Sequence, residues 1–270
     1  MECYDLKKDR LIFLSEKATP DFWDKQWQVA DLKKIAERNG RKDKLVAPVT
    51  ERFLNPNKSV KILEGGCGMG HFVYSLNQRG FEAYGVDFAP QTVAKLQTAF
   101  PELNFSLGDV RKLDFTDNYF DGYWSLGVIE HFYDGYDSIA AEIRRVVKPG
   151  GYLFLTFPYI SPFRRMKILL KSYPQFDSVN FDQNSFYQFA LNYHQVVKDF
   201  QRLDFQLVYR RPIDGVNGLR QELPFLRPLM DRIYSGQFIA FKVIRFLINK
   251  LCSWFSGHII LLVLKNEKVL

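Results

Sequence analysis

Hydrophobic and polar positions along the chain follow two periods, and each period predicts its own kind of element. Between residues 60 and 157, short apolar runs rich in β-branched and aromatic residues alternate with stretches whose apolar residues recur every three or four positions. The runs predict strands over 60–63, 82–86, 104–107, 120–126 and 152–157, and the stretches predict helices over 71–79, 89–99 and 138–147. This alternation indicates an α/β fold with a parallel sheet and helices on both faces.

The flanking regions predict further helices and two closing strands. Helical periodicity covers 20–47, 49–54, 184–202 and 237–255, and strand patterns cover 205–210 and 258–265. Prolines and irregular patterns mark two insertions, at 158–184 and 212–256. We therefore predict an N-terminal helical lid over 1–57 and a core over 58–270 that both insertions enter. Within the lid, Phe22, Trp23 and Trp27 either close over a ligand or pack into the core.

The residues just past the predicted strands are those expected to meet a ligand. In open parallel sheets, ligands bind at the carboxyl ends of the strands, beside the point where the strand order reverses. The loop 64–70, Asp87, Asp109 and the segment 125–131 each lie just past a predicted strand end. We expect them to surround one crevice.

The loop 64–70 has the pattern acid-x-G-x-G-x-G. A glycine loop between a strand and a helix lets backbone N–H groups approach a ligand closely. The dinucleotide fingerprint G-x-G-x-x-G is broken, because His71 occupies the third glycine position, and the lysine of a phosphate-binding P-loop is missing. The pattern favours a ligand whose near end is cationic or zwitterionic.

Four segments resemble, in the same order, the class I S-adenosylmethionine-dependent methyltransferases and in particular their small-molecule, type 11-like branch. They are VKILEGGCGMG, YGVDFAP, LGDVRKLDF, and FDGYWSLGVIEHFYD followed by VVKPGGYLFLTFP. The resemblance covers residues 58–158 and the two closing strands. It implies S-adenosylmethionine as the cofactor and a Rossmann-like, seven-stranded, mostly parallel sheet with helices on both faces and an antiparallel last strand.

The same resemblance implies a set of cofactor-binding residues. They are Glu64, Gly65, Gly66, Gly68, Gly70, Asp87, Phe88, Asp109, Val110, Ser125 and Leu126. The glycine loop would lie under the methionine part of the cofactor, and Glu64 would help to orient its amino group. Asp87 would accept hydrogen bonds from both ribose hydroxyls. From the residues alone, Asp87 could instead cap the helix predicted at 89–99.

The later segments of the resemblance imply which residues contact the adenine of the cofactor and which line the site of methyl transfer. Asp109 would accept a hydrogen bond from the adenine amino group, the Val110 N–H would lie near a ring nitrogen, and Phe88 would pack on the ring. Ser125 and Leu126 would line the reaction side. Asp109 could equally be an ordinary turn residue.

The first candidate for a catalytic base is His131, just past the fourth strand of the series. Alternatively, His131 has only a structural role in the loop, because the Glu-His pair recurs in this branch of the family. His194 is a weaker candidate, because a histidine on a helix surface is commonly just solvated. Related enzymes hold a divalent metal with Glu-x-x-Glu-His, but Gly127 stands where the first glutamate would be, so we expect no metal.

Charge is distributed unevenly along the 270 residues. The net charge is +7, but residues 151–270 carry +8 and residues 1–150 carry −1. The basic excess therefore lies where the insertions enter, and it suits a lipid or another anionic partner. A nucleic-acid partner is disfavoured, because the basic residues are mixed with long aliphatic side chains and no RNA-binding motif is present.

Cysteine usage and the first residues indicate a cytoplasmic protein. Cys3, Cys67 and Cys252 are odd in number and far apart, which supports neither a disulfide framework nor a zinc site. The N-terminal sequence lacks the apolar run of a secretory signal. The apolar stretch 238–264 is interrupted by charges, so no window reaches the roughly 18 apolar residues of a spanning helix.

The predicted helix 237–255 combines a broad apolar side with basic residues. This pattern fits peripheral membrane contact or an apolar tunnel for a methyl acceptor, and it fits equally a helix docked on the sheet or on a second subunit. The oligomeric state is left open.

The patterns and the resemblance together favour an enzyme that methylates a small-molecule or lipid-linked acceptor, at oxygen or nitrogen rather than carbon. The insertions would form the acceptor side. Three alternatives stay open: a non-catalytic cofactor-binding scaffold module, a nucleic-acid methyltransferase, and a nucleotide-dependent oxidoreductase, which His71 disfavours.

Overall fold

The computed structural model describes residues 2–29, 31–178 and 181–269. The strands in these residues are β1 (Glu2–Asp5), β2 (Arg10–Leu14), β3 (Lys61–Gly65), β4 (Glu82–Asp87), β5 (Asn104–Leu107), β6 (Phe120–Leu126), β7 (Val147–Pro158), β8 (Phe186–Ala190), β9 (Phe205–Ile213) and β10 (Ile259–Asn266). The helices are α1 (Pro20–Gln26), α2 (Leu32–Arg41), α3 (Val46–Thr50), α4 (His71–Gln78), α5 (Pro90–Ala99), α6 (Asp137–Val146), α7 (Pro162–Leu169), α8 (Tyr193–Gln201), α9 (Gly215–Glu222), α10 (Arg227–Ser235) and α11 (Ile239–Ser256).

The main sheet has seven strands in the order β5-β4-β3-β6-β7-β10-β9. Pairing is parallel from β5 to β7, while β10 runs antiparallel to both β7 and β9. The predicted Rossmann-like sheet with an antiparallel last strand is therefore confirmed. The strand order reverses between β3 and β6, so a ligand crevice is expected above these two strands.

Both faces of the main sheet are buried. Side chains alternate along each strand, so Leu63 and Tyr123 enter one layer of the core while Ile62 and Trp124 enter the other. The buried indole of Trp124 donates its Nε1–H to Thr50 Oγ1 at 2.8 Å. This bond satisfies a polar atom in the core and attaches α3 to the sheet.

A second, three-stranded sheet in the order β1-β2-β8 differs from the predicted helices. Residues 184–202 were expected to form one helix, but only 193–201 do, and 186–190 pair antiparallel with β2. Phe186 and Phe189 lie three positions apart and are both buried, which imitates a helical stripe in the sequence. The N-terminal segment 1–57 is also not purely helical, because β1 and β2 form a hairpin ahead of α1.

The helix predicted over 20–47 is divided into separate helices. Thr19 caps α1 by accepting from the Phe22 N–H at 3.2 Å, and Asp31 caps α2 by accepting from the Lys34 N–H at 2.9 Å. Ala30, inside the predicted helix, lies outside the described residues, as do residues 179 and 180 of the first insertion. The short helix expected at 49–54 is observed at 46–50.

Both insertions leave the main sheet at the same edge. The first contains α7 and follows β7, and the second contains α9, α10 and α11 and follows β9. Because β7 and β9 run parallel to the first strands of the sheet, their carboxyl ends lie at the edge expected to bind a ligand. None of the helices among the described residues is long and apolar enough to cross a membrane.

Candidate functional site

A cavity of about 470 Å³ opens at the carboxyl ends of β3, β4 and β6. This volume falls in the usual range of small-molecule and cofactor sites, roughly 300–1,000 Å³. Eight of the predicted site residues line it: Gly66, Gly68, Asp87, Phe88, Asp109, Val110, Leu126 and His131. Glu64, Gly65, Gly70 and Ser125 are buried behind its wall. The structure therefore brings all of these residues together at one place.

The glycine loop is held in a conformation that requires glycine. Gly66 and Gly70 have φ angles of 79° and 67°, in the left-handed region. A Cβ on Gly66 would lie 2.6 Å from Val128 Cγ2, and one on Gly70 would lie 2.7 Å from Phe105 Cζ. The Gly66 N–H also donates to the Val86 carbonyl at 2.7 Å, which ties the loop to β4. The loop backbone consequently forms part of the cavity wall itself.

Asp87 lies at the end of β4, buried, with both carboxylate oxygens facing backbone donors. Oδ2 accepts from the Gly68 N–H at 2.7 Å, and Oδ1 accepts from the Ala89 N–H at 3.0 Å. Burial raises the pKa of Asp87, although these two N–H groups oppose the shift. Each carboxylate oxygen can accept a further bond, so Asp87 keeps acceptor capacity toward the cavity.

The helix-capping role that the sequence left open for Asp87 is carried out by Asp24. Its Oδ1 accepts from the Thr92 N–H at 2.8 Å and from Thr92 Oγ1 at 2.7 Å, and its Oδ2 accepts from the Gln91 N–H at 3.2 Å. Asp24 belongs to α1, so this cap also fixes α1 beside the cavity. Sequence reasoning missed it, because its partners are 67 and 68 positions away.

Several buried polar atoms around the loop lack hydrogen-bond partners among the described residues. They include Glu64 Oε2, His71 Nδ1, Ser125 Oγ and Glu130 Oε2. Burial, reinforced by the nearby carboxylate of Asp87, raises the pKa of Glu64 well above its usual range. An unpaired buried acceptor is costly, so a cationic donor brought to Glu64 would stabilise this end of β3.

Asp109 is half-exposed and already has a partner. Its Oδ2 accepts from Arg111 Nη2 at 2.6 Å, and its Oδ1 accepts from the Arg111 N–H at 2.9 Å. The Arg111 guanidinium lowers the pKa of Asp109, although partial burial opposes this. Asp109 thus lines the cavity, as predicted, and also forms an ion pair at the protein surface.

His131 lines the cavity as a neutral imidazole. Its Nδ1 lies 2.8 Å from the Tyr187 carbonyl oxygen, which only accepts, so Nδ1 carries the proton and Nε2 is an acceptor. Burial lowers the pKa of His131 to about 4, although the bond to Tyr187 opposes the shift. Beside it, burial raises the pKa of Glu130 to about 8, so this acid is largely neutral at pH 7 and supplies little charge to the imidazole.

Aromatic residues close one side of the cavity. The rings of Trp23 and Trp27 stack with centroids 5.7 Å apart, and Trp23 meets the His131 ring edge-on at 5.2 Å. Both tryptophans line the cavity, whereas Phe22 packs against Trp23 and Tyr187 outside its lining. Of the three aromatic residues for which the sequence left a lid and core packing open, Trp23 and Trp27 therefore border the cavity and Phe22 does not.

Sequence reasoning missed several further lining residues. These are Lys17, Ala18, Thr19, Pro20, Phe132, Tyr133, Asp134, Gln183 and Phe186. Gln183 comes from the first predicted insertion and Phe186 from the segment predicted as a helix, and no local signal places either of them here. The run Phe132-Tyr133-Asp134 directly follows His131, so its position after the strand end could have indicated it.

His194 was the weaker candidate for the catalytic base, and no metal was expected. His194 is exposed at the start of α8, lies against Tyr193 with ring centroids 4.0 Å apart and ring planes at 31°, and does not line the cavity. Within residues 2–29, 31–178 and 181–269, no group of three or more His, Cys, Asp and Glu side chains is arranged to hold a metal ion.

Known proteins share parts of this sequence and its fold. The family model described as "Methyltransferase domain" matches residues 63–155. A 2-methyl-6-phytyl-1,4-hydroquinone methyltransferase of Synechocystis sp. is 35% identical over 96 residues, which cover 34% of this chain and 30% of that protein. A demethylmenaquinone methyltransferase of Bacillus subtilis is 28% identical over 152 residues, which cover 47% of this chain and 64% of that protein.

Among solved structures, the PH0226 protein of Pyrococcus horikoshii OT3 resembles most of the chain in fold. The TM-score is 0.54 at 20% sequence identity, and the match covers 85% of this chain and 91% of that one. At this identity the likeness shows a common fold only. The chain spans less than two thirds of the length of the two curated relatives.

Proposed function

We propose that this chain, which belongs to the class I S-adenosylmethionine-dependent methyltransferases of the type 11 branch, transfers the methyl group of S-adenosylmethionine to a small-molecule or lipid-linked acceptor. The observation that carries the proposal is the convergence of the glycine loop, Asp87 and His131 on one cavity of about 470 Å³. Three of the sequence segments that form the cavity lie within the matched methyltransferase domain.

The described residues fit this cofactor. The cavity has the required size, Asp87 offers two acceptor oxygens, and Glu64 Oε2 is a buried acceptor without a partner among the described residues. We assign Glu64, Gly65, Gly66, Gly68 and Gly70 to the methionine part, Asp87 to the ribose, Phe88, Asp109 and Val110 to the adenine, and Ser125 and Leu126 to the reaction side. When bound, S-adenosylmethionine supplies an electrophilic methyl carbon on a positively charged sulfur.

The acceptor is proposed to be apolar and to carry a hydroxyl or amino group. By their names, the two curated relatives act on a phytyl-substituted hydroquinone and on demethylmenaquinone. The cavity side opposite the glycine loop is lined by Trp23, Phe132, Tyr133 and Phe186, which suits an apolar ring or chain.

His131 is proposed to accept the proton that the acceptor releases. Its Nδ1–H is held by the Tyr187 carbonyl, which leaves the Nε2 lone pair to accept a proton, and the residue lines the cavity. A neutral base beside a hydroxyl or amine favours methylation at oxygen or nitrogen, where a proton must leave. Trp23 and Trp27 would exclude water from the cavity and hold the acceptor in position.

We propose that the protein acts in the cytoplasm. Cys3, Cys67 and Cys252 are free thiols, and Cys3 and Cys67 are buried. Unpaired cysteines of this kind suit a reducing environment.

Binding and turnover test the proposed function directly. Isothermal calorimetry is expected to show binding of S-adenosylmethionine and S-adenosylhomocysteine but not of NAD. Methyl-labelled S-adenosylmethionine is expected to label, at oxygen or nitrogen, an apolar acceptor that carries a hydroxyl or amino group, with a phytyl hydroquinone as the first to be tried. Binding without any labelled product across such acceptors would support the scaffold module, and absence of binding would contradict the cofactor assignment.

Replacing His131 by alanine is expected to lower kcat by about 10²–10⁴-fold, the usual contribution of a positioned base, with little change in cofactor affinity. Because the pKa of His131 is about 4, its base form persists through neutral pH. The kcat of the wild type should therefore be flat from pH 8 to about 5 and fall only below that. An unchanged kcat in the variant would assign His131 to the loop framework instead.

A further inference from the structure

Helix α11 is attached to the protein mainly by its polar side. Ser253 Oγ accepts from the Gly215 N–H at 3.1 Å, and Asn249 Oδ1 accepts from the Val216 N–H at 3.0 Å. Ser256 Oγ donates to the Gly215 carbonyl at 3.2 Å. These bonds join α11 to the first turn of α9. Asn249, Ser253 and Ser256 thus face the protein, whereas Lys242 and Lys250 of the same helix are exposed.

The backbones of α9 and α11 also lie unusually close together. A Cβ on Gly218 would lie 1.5 Å from the Ser256 carbonyl oxygen, so only glycine fits there. A small apolar cluster of Val216, Met230 and Ile233 completes the contact between α9, α10 and α11. This contact fixes the rotation of α11 about its own axis.

The opposite side of α11 is apolar and exposed. Ile239, Phe246, Leu251 and Trp254 retain 79%, 63%, 64% and 68% of their accessible surface. At 100° per residue, the exposed apolar positions from Phe246 round to Leu251 occupy an arc of about 140°, and the exposed Lys250 falls within the same arc. A helix of a water-soluble protein normally buries such a stripe, and a contiguous exposed one marks an interaction surface.

The end of α7 adds to this exposed apolar area. Leu169 and Leu170 are 75% and 69% exposed. Helix α7 packs against α11, where the rings of Phe163 and Phe255 stack with centroids 5.3 Å apart. We call α11 together with Leu169 and Leu170 the α11 surface.

The charge around the α11 surface is almost wholly positive. Residues 223–256 contain five basic residues and one acid, Asp231, which pairs with Arg220. Lys242 and Lys250 are exposed on α11 and form no ion pair with any described residue. Their long side chains can lie along an apolar surface while the ammonium groups reach an anionic layer.

We propose that the α11 surface lies in the interface of an anionic lipid bilayer. Phe246, Leu251 and Trp254 enter the boundary between head groups and acyl chains, and Lys242 and Lys250 contact lipid phosphates. With 18 residues, α11 is about 27 Å long, enough to lie along the interface as an anchoring helix. A second copy is a poorer occupant, because a two-fold contact would bring the same unpaired lysines together.

This arrangement places the bilayer beside the catalytic edge of the sheet. Both α7 and α11 belong to insertions that leave the sheet at the carboxyl ends of β7 and β9, the edge that also holds the cavity. No residue of the α11 surface lines the cavity, so membrane contact is independent of the proposed function.

Vesicle flotation tests the inference. The full chain is expected to float with vesicles of equal parts phosphatidylcholine and phosphatidylglycerol, and less with phosphatidylcholine alone or at high salt. The double variant Phe246→Ser/Trp254→Ser should lower the partition coefficient about tenfold or more. The matched control Leu107→Ser, at a residue 58% exposed on β5, should leave it unchanged. Because all three side chains are exposed, the variants are expected to fold.

Two further variants identify the contact. Lys242→Glu/Lys250→Glu should abolish the preference for phosphatidylglycerol, and brominated lipids should quench tryptophan fluorescence in the wild type but much less in Trp254→Phe. A wild type that floats with neither vesicle overturns the inference. Self-association abolished by Phe246→Ser/Trp254→Ser in sedimentation, without flotation, would assign the surface to a second copy. Loss of the proposed function would appear separately, as absent S-adenosylmethionine binding without vesicles.

Discussion

Asp87→Ala is expected to weaken S-adenosylmethionine binding by about 100-fold or more. On the proposed function, the Asp87 carboxylate accepts hydrogen bonds from two ribose hydroxyls, and each bond to a charged acceptor contributes roughly 1.5–3 kcal/mol. Their combined loss corresponds to at least two orders of magnitude in Kd. The substitution also removes two backbone bonds, one from the Gly68 N–H, which holds the glycine loop, and one from the Ala89 N–H, which lies directly before α5. Calorimetry with S-adenosylmethionine measures the effect.

Two matched variants separate the ribose contact from general damage to the loop. Asp24→Asn weakens the cap of α5 without touching the assigned ribose site, so it should lower the melting temperature more than the affinity. Asp109→Asn should weaken binding about tenfold or less, because that carboxylate is half-exposed and already paired with Arg111. If the folded Asp87→Ala protein bound S-adenosylmethionine with the Kd of the wild type, the assignment of Asp87 to the ribose would be wrong.

Local patterns were sufficient for the main sheet. The strands predicted at 104–107 and 120–126 have the observed bounds, and the helix at 71–79 differs by one residue. The candidate site followed from the same patterns, because residues at the carboxyl ends of parallel strands must meet at one edge. Residues as far apart in sequence as Gly66 and His131 could therefore be assigned to one crevice.

The elements that sequence reasoning missed depend on partners that are distant in the chain. β8 forms because the hairpin of β1 and β2 offers it an edge more than 170 positions away, and the spacing of Phe186 and Phe189 gives no hint of this. Asp24 is an ordinary helix residue until α5 lies beside it. The orientation of α11 likewise depends on Gly218, whose small size lets the polar side of the helix approach α9.

Breaking the buried ion pair of Arg164 and Glu222 is expected to cost about 3–5 kcal/mol of stability, because one charge would remain buried without its partner. Both side chains are 1% exposed, and Arg164 Nε donates to Glu222 Oε1 at 2.7 Å. Glu222 Oε2 also accepts from Lys167 Nζ at 2.7 Å and from the Tyr173 hydroxyl at 2.5 Å. Arg164 Nη2 further donates to His258 Nδ1 at 2.9 Å. The cluster joins both insertions to the start of β10.

Arg164→Met and Glu222→Leu should each lower the melting temperature by roughly 10 °C, at about 2–4 °C per kcal/mol for a chain of this size class. The double variant should recover much of the loss, since the charge that it leaves without a carboxylate, the Lys167 ammonium, is on a side chain that is 21% exposed and can reach water. Glu37→Ala, which breaks an exposed pair with Arg41, serves as the control and should change stability by less than about 1 kcal/mol. Equal, additive losses in the double variant would show that the two charges do not act as a pair.

The pH dependence of stability tests independently whether the ionised form of Glu222 stabilises the folded protein. Burial raises the pKa of Glu222, but Arg164, Lys167 and Tyr173 together lower it more, so it ends below that of an unfolded glutamate. A lowered folded-state pKa stabilises the protein above the unfolded value and ceases to do so as the pH falls through the folded one. The stability advantage of the wild type over Glu222→Leu should therefore be full at pH 7 and shrink below about pH 4.5, measured by urea unfolding. An advantage that does not shrink there would mean that the ionised Glu222 carboxylate is not what holds the two insertions on the sheet.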